Sequence, residues 1–179
     1  MSGNSIGTGS YSSNPNWKER YQNAKEEFDV GITESQRHSA EYSEVTDARN
    51  QTSREIAKKK DTVGQKTTTL ADLNSVISAL ESNNVEQIKN NPYLAKFIRG
   101  TDTSEAFAQK GSVMSQITNL MNELKKGDLS LEDLQALFTT QTKQRSASDV
   151  AFWDQQWENG QLVDEMRFLN NMQRFETLG

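Results

Sequence analysis

His38 is the only histidine in the 179-residue chain, so any catalytic set that needs an imidazole has a single candidate. It lies in the polar run Thr33-Glu34-Ser35-Gln36-Arg37-His38, with no apolar pocket in sight, and is expected to be a solvated helix residue. Carboxylates stand side by side at Glu26-Glu27, Glu132-Asp133 and Asp164-Glu165, where a general acid and a general base could in principle be paired. Neighbours on a helix point about 100° apart, so these pairs do not converge on one substrate. Asp128, Ser130 and Glu132 place oxygens at the first, third and fifth positions of a calcium loop. The sixth position is Asp133 in place of glycine, and the twelfth is Thr139 in place of glutamate.

With no cysteine in the chain, thiolate metal sites, disulfides and cysteine nucleophiles are excluded. A di-metal carboxylate bundle needs two Glu-x-x-His motifs, which one histidine cannot supply. No glycine-rich phosphate cradle follows a strand, since Gly3, Gly7 and Gly9 all fall at the start of the chain. The expectation is therefore no catalytic residue, no cofactor and no metal: a protein that is not an enzyme. Lys58-Lys59-Lys60 is the one basic run, flanked by Glu55 and Asp61, and reads as a solvated helix face. The net charge of −5 argues against a nucleic-acid partner.

The elements that would carry these residues are helical. Residues 1–16 are Ser, Gly and Asn with one proline and no charged side chain, and are expected to form a flexible leader without the features of a secretory signal peptide. No apolar run approaches the roughly 20 residues of a membrane-spanning helix. From Trp17 onward a heptad register holds to Leu80, with Trp17, Ala24, Gly31, His38, Val45 and Thr52 in one column and Tyr21, Phe28, Ser35, Tyr42, Arg49 and Ile56 in the other. Its middle is polar, and Arg49, Lys59 and Lys66 argue against a strong two-stranded coiled coil. The register predicts one or two long helices, broken near Gly31 and Gly64, whose apolar patches need a partner.

Asn90-Asn91-Pro92 ends any preceding helix. Beyond it a short apolar helix over 93–98 is expected, then one capped by Thr103 or Ser104 and stopped at Lys125-Lys126-Gly127. Further helices start at Ser130 and Ser148, the latter ending at Asn159-Gly160, and a last one covers 161–177. The fold class is all-α: a flexible leader (1–16), a long polar helical arm or hairpin (17–81) and a small antiparallel helical bundle (93–179).

The aromatic cluster Phe152, Trp153, Trp157, Phe168 and Phe175 is the most informative feature. Large apolar side chains at helical spacing read as the bundle's own core, whereas Phe152 and Trp153, as direct neighbours, cannot share one face. The cluster is thus also the candidate partner-binding surface, and tryptophan and methionine are favoured interface anchors. Charge is uneven: residues 127–179 hold nine acids and four bases, and residues 82–126 six bases and four acids. An uncharged Ser/Gly/Asn-rich leader followed by long polar helices without cysteine looks like proteins sent through needle-type secretion machines, and like phage virion components. That resemblance implies a structural subunit of an assembly, working as a homo-oligomer or on a protein partner. A monomeric helical adaptor that binds a partner's helix is the alternative. The cytoplasm, export by a non-Sec route and a virion all remain open as locations.

Overall fold

The computed structural model describes residues 16–178, so the expectation of a flexible leader falls, apart from Asn16, outside the described residues. The chain is all-α. Its elements are α1 (Trp17–Glu81), α2 (Val85–Asn90), a 3-10 turn (Ala95–Phe97), α3 (Ser104–Ala108) and α4 (Lys110–Leu178). Among the described residues the only extended pairing is the isolated bridge between Arg99 and Asp102.

The start of α1 is written locally. Asn16 Oδ1 accepts the Glu19 amide at 2.9 Å while Asn16 Nδ2 donates to the Glu19 carboxylate at 3.1 Å, a reciprocal cap. The helix then runs 65 residues without a break at Gly31 or Gly64, contrary to expectation. Each glycine costs only about 1 kcal/mol inside a helix, and no proline interrupts the register. The threonines of the polar segment satisfy their own hydroxyls: Thr67, Thr68 and Thr69 each donate to the carbonyl four residues back.

The larger correction concerns α4. Stops at Gly127 and at Asn159-Gly160, and starts at Ser130 and Ser148, are not made, and one helix of 69 residues runs through all of them. Capping residues only compete for a helix end where the chain has no partner along its flank. The described residues divide into two compact units, 16–48 with 141–178, and 49–140.

In residues 49–140, segments of α1 and α4 pack side by side and close over a small apolar core. Leu73, Val76, Leu80, Ile88, Leu94, Ala106 and Val113 are buried together, with Ile77, Tyr93, Phe97, Ile98, Ile117 and Leu120 packed around them. The connection over 82–109 is built by asparagines. Asn83 takes the left-handed conformation that ends α1, with φ 54°. Asn84 caps α2 by accepting from the Glu86 and Gln87 amides. Asn91 accepts from the Tyr93 and Leu94 amides, and a turn running into the 3-10 turn replaces the apolar helix expected over 93–98. Two of the seam residues that argued against a two-stranded pairing find partners here. Arg49 stacks over the Phe138 ring at 4.4 Å, and Lys66 pairs with Glu123 at 3.5 Å. A Cβ at Gly127 would stand 3.0 Å from Val63 Cγ2, so this glycine marks a close approach of helices and not a helix end.

In residues 16–48 and 141–178, α1 and α4 run antiparallel as a two-stranded pair. Trp17 meets Phe168 edge-on at 6.1 Å, Ser35 bonds Gln156, and Tyr42 bonds Arg145. Both heptad columns of α1 are buried or half-buried throughout this unit: Tyr21, Ala24, Phe28, Gly31, Ser35, His38, Tyr42 and Val45. The partner that the apolar patches required is thus the same chain's own last helix.

Candidate interaction surface

The seam of residues 16–48 and 141–178 is polar at its centre and specific for that reason. Asn159, only 4% exposed, donates from Nδ2 to the Gly31 carbonyl at 3.1 Å and to Ser35 Oγ at 3.0 Å, while its Oδ1 accepts from Gln155 Nε2 at 3.1 Å. Ser35 Oγ in turn donates to Gln156 at 2.8 Å. A buried asparagine bonded across a helix pair sets register, because a slip by one heptad would strand its amide. Further along the seam, the Arg145 guanidinium lies over the Tyr42 ring at 5.0 Å and donates to its hydroxyl at 2.7 Å.

His38 belongs to this seam, which corrects the expectation of a solvated residue. Its side chain is 17% exposed, with Glu41 at 3.5 Å and Glu34 at 4.0 Å. The hydrogen bond from Arg37 holds the Glu34 carboxyl below the usual carboxylate range, and the same contact raises Arg37 further. Asp102 is likewise lowered, first by the Ser104 hydroxyl and then by the Ser104 amide. Among the described residues no group of three or more His, Asp or Glu side chains is placed to hold a metal ion. Asp128 to Asp133 lie within continuous helix, a backbone that cannot wrap a calcium ion.

The five aromatic residues separate. Phe152 occupies a seam position, half-buried, and meets the Trp153 ring edge-on at 5.2 Å. Trp153, Trp157 and Phe175 project outward, 62%, 68% and 65% exposed, and Phe168 is half exposed while its edge touches Trp17. Burial along the seam is supplied instead by Leu162, Met166 and Leu169, the last fully buried. The reading of this cluster as a core is therefore overturned for Trp153, Trp157 and Phe175. The physical reason is its spacing. Val150, Trp153 and Trp157 follow i, i+3, i+7 as a seam would, but they sit two positions beyond the true seam column of Ser148, Gln155 and Leu162.

No family model, curated protein or solved structure matches this chain.

What the arrangement offers is a surface. Val150, Trp153, Trp157, Phe168, Phe175 and Leu178 lie on the outward side of α4, where a two-stranded coil in water ordinarily carries charge. Exposed aromatics of this size leave on the order of 100 Å² each in water, and together reach the few hundred Å² of the largest apolar patch on an ordinary monomer, which is often functional. A second exposed stripe, Phe107, Met114 and Met121 at seven-residue spacing, lies in residues 49–140 and has its sequence signal in that spacing. The seam clasp of Gly31 and Asn159 has no such signal, since 128 residues separate its partners. The outward aromatics also carry little of the fold. Trp153→Ala is expected to shift the thermal unfolding midpoint by no more than about 1–2 °C, the scale of a surface substitution within roughly 0.5 kcal/mol. A fall of 10 °C in a circular-dichroism melt would return Trp153 to the core.

Proposed function

We propose that this protein is a non-catalytic structural subunit that works by packing its helices against further copies of itself, in an assembly of the bacterial secretion-system or phage kind. The observation that carries the reading is the outward row of Val150, Trp153, Trp157, Phe168 and Phe175 on α4. Burial of that row in a partner supplies an apolar driving force for association. Tryptophan supplies large contact area at small cost in side-chain entropy, which is why it anchors interfaces. The acidic balance disfavours nucleic acid as the partner, and no described helix is long and apolar enough to cross a membrane. The setting in a secretion system or virion rests on the uncharged leader and the absence of cysteine.

Size-exclusion chromatography with light scattering, on the full chain across a concentration series, tests this. The mass is expected to rise above the 20.2 kDa of one chain as concentration increases. The double variant Trp153→Ala, Trp157→Ala is expected to stay at one chain's mass with its helical signal unchanged. A wild-type mass constant at 20.2 kDa over the whole series would overturn self-assembly and favour an adaptor that binds another protein's helix.

A further inference from the structure

The two exposed apolar stripes differ in charge, and the difference names their occupant. The part of the aromatic stripe around Val150, Trp153 and Trp157 is edged by Asp149, Asp154 and Glu158, and residues 149–165 contain no lysine or arginine, whereas Arg167 and Arg174 adjoin Phe168 and Phe175 further along and Arg167 stands 3.7 Å from Asp164. Asp154 and Glu158 are exposed and one turn apart, each the next residue along the helix from Trp153 and Trp157. The stripe of Phe107, Met114 and Met121 is edged by Lys110, Lys125 and Lys126. Lys125 and Lys126 are exposed, with Lys125 one turn beyond Met121. The one carboxylate between Met121 and Lys125, Glu123, is paired with Lys66 at 3.5 Å, so the lysines set the sign of this surface.

We infer that the aromatic, acid-edged face of α4 in residues 149–158 docks on the methionine, lysine-edged face of residues 107–126 of a second copy of this chain. This rests on the reading of the protein as a self-associating subunit, and it names the surfaces that meet. Two Trp153–Trp157 segments set directly against each other would bring the Asp154 and Glu158 carboxylates of both copies together, which disfavours that contact. Mutual pairing of lysine-edged faces is disfavoured in the same way. Aromatic rings against methionine thioethers are favourable contacts, and the flexible methionine side chains adapt to the irregular outline of two tryptophans. Opposite charge at the rim fixes which face meets which and orients the approach.

The contact joins two different surfaces, so each copy that binds through one of them leaves the other free. Such a contact extends into an open chain of subunits, or closes into a ring where the rotation allows. Charge at the rim also makes it sensitive to salt, while the apolar centre keeps part of its strength when charges are screened.

Charge reversal on full-length protein separates this arrangement from other modes of association. Sedimentation velocity is run on wild type, on Lys125→Glu with Lys126→Glu, on Asp154→Lys with Glu158→Lys, and on an equimolar mixture of the two variants. All four substituted side chains are exposed, and circular dichroism checks that each variant keeps its helices. Each variant alone is expected to associate roughly tenfold more weakly than wild type or worse, since one face now repels its complement. The mixture is expected to recover the wild-type distribution, because the reversed methionine face of one variant then meets the reversed aromatic face of the other with opposite charge, and the two unaltered faces match as in wild type. Wild type that assembles, with both variants assembling equally well, would overturn the pairing of these faces and leave self-assembly standing. Folded variants that fail alone and fail equally when mixed would also overturn it. Wild type that stays a single chain at every concentration would overturn the inference together with the reading beneath it.

Discussion

Leu94→Ala is expected to destabilise residues 49–140 by about 2–5 kcal/mol, the range for removing a leucine side chain from a packed site. Leu94 is fully buried at the centre of the connection over 82–109, among Leu80, Ile88, Ala106 and Val113. It is held there by its own amide, which donates to Asn91 Oδ1 at 3.2 Å and to the Asn91 carbonyl at 3.1 Å. Those hydrogen bonds leave the backbone little freedom to move in and fill the space that truncation opens. The long helices contribute few fully apolar layers elsewhere in this unit, where Thr52 is buried and Lys59 and Lys66 are half-buried along the seam. The small core at the connection therefore carries a large share of the unit's apolar burial. In a chain of this size the loss corresponds to a fall of about 5–20 °C in the unfolding midpoint. Hydrogen exchange should quicken first in residues 82–109. A melt indistinguishable from wild type would show that this cluster is not the unit's core.

Gly31→Ala should destabilise the other unit by about 2–4 kcal/mol, although alanine is the better helix former. A Cβ at Gly31 would stand 2.0 Å from Asn159 Oδ1 and 3.1 Å from Gln155 Nε2. Asn159 cannot swing aside without giving up the Gly31 carbonyl, Ser35 and Gln155, its three partners. Each buried polar group left without a partner costs about 1–3 kcal/mol, against a helix-propensity gain near 1 kcal/mol. Gly64 supplies the control. It too lies inside α1, nothing stands within 4 Å of its missing Cβ, and Gly64→Ala should stabilise by about 1 kcal/mol. Denaturant titrations of the two variants should shift their midpoints in opposite directions. Two shifts of the same sign would remove the Gly31–Asn159 contact from any role in the seam. Adding Asn159→Ala to Gly31→Ala relieves the clash and should recover part of the loss, a coupling that a double-mutant cycle reads directly.

The seam of α1 was legible in the amino-acid order from Trp17 to Leu80. A heptad is local arithmetic: side chains seven and three or four apart share a face whatever they later meet. For the same reason the helical class could be read without a partner in view. The asparagine-rich turn before Pro92 was legible because caps and turns form within a few residues. The aromatic row of α4 was visible as a cluster, and the impossibility of placing Phe152 and Trp153 on one face followed from the 100° between neighbours.

Which of the two faces turned inward was a different matter. Val150, Trp153 and Trp157 make the more apolar stripe, yet Ser148, Gln155 and Asn159 face the partner helix, because α1 presents Gly31, Ser35 and Tyr42 to them. A polar surface on one helix selects a polar surface on the other, and that selection acts between residues more than 100 apart in the chain. Helix ends were decided in the same way. Gly127 and Gly160 carry local stop signals, but packing along the flank of α1 holds α4 helical through them at roughly 1 kcal/mol per glycine. Local order of residues wrote the periodicity and the caps. Only the pairing of distant helices chose which stripe became the seam, and left the tryptophans facing water.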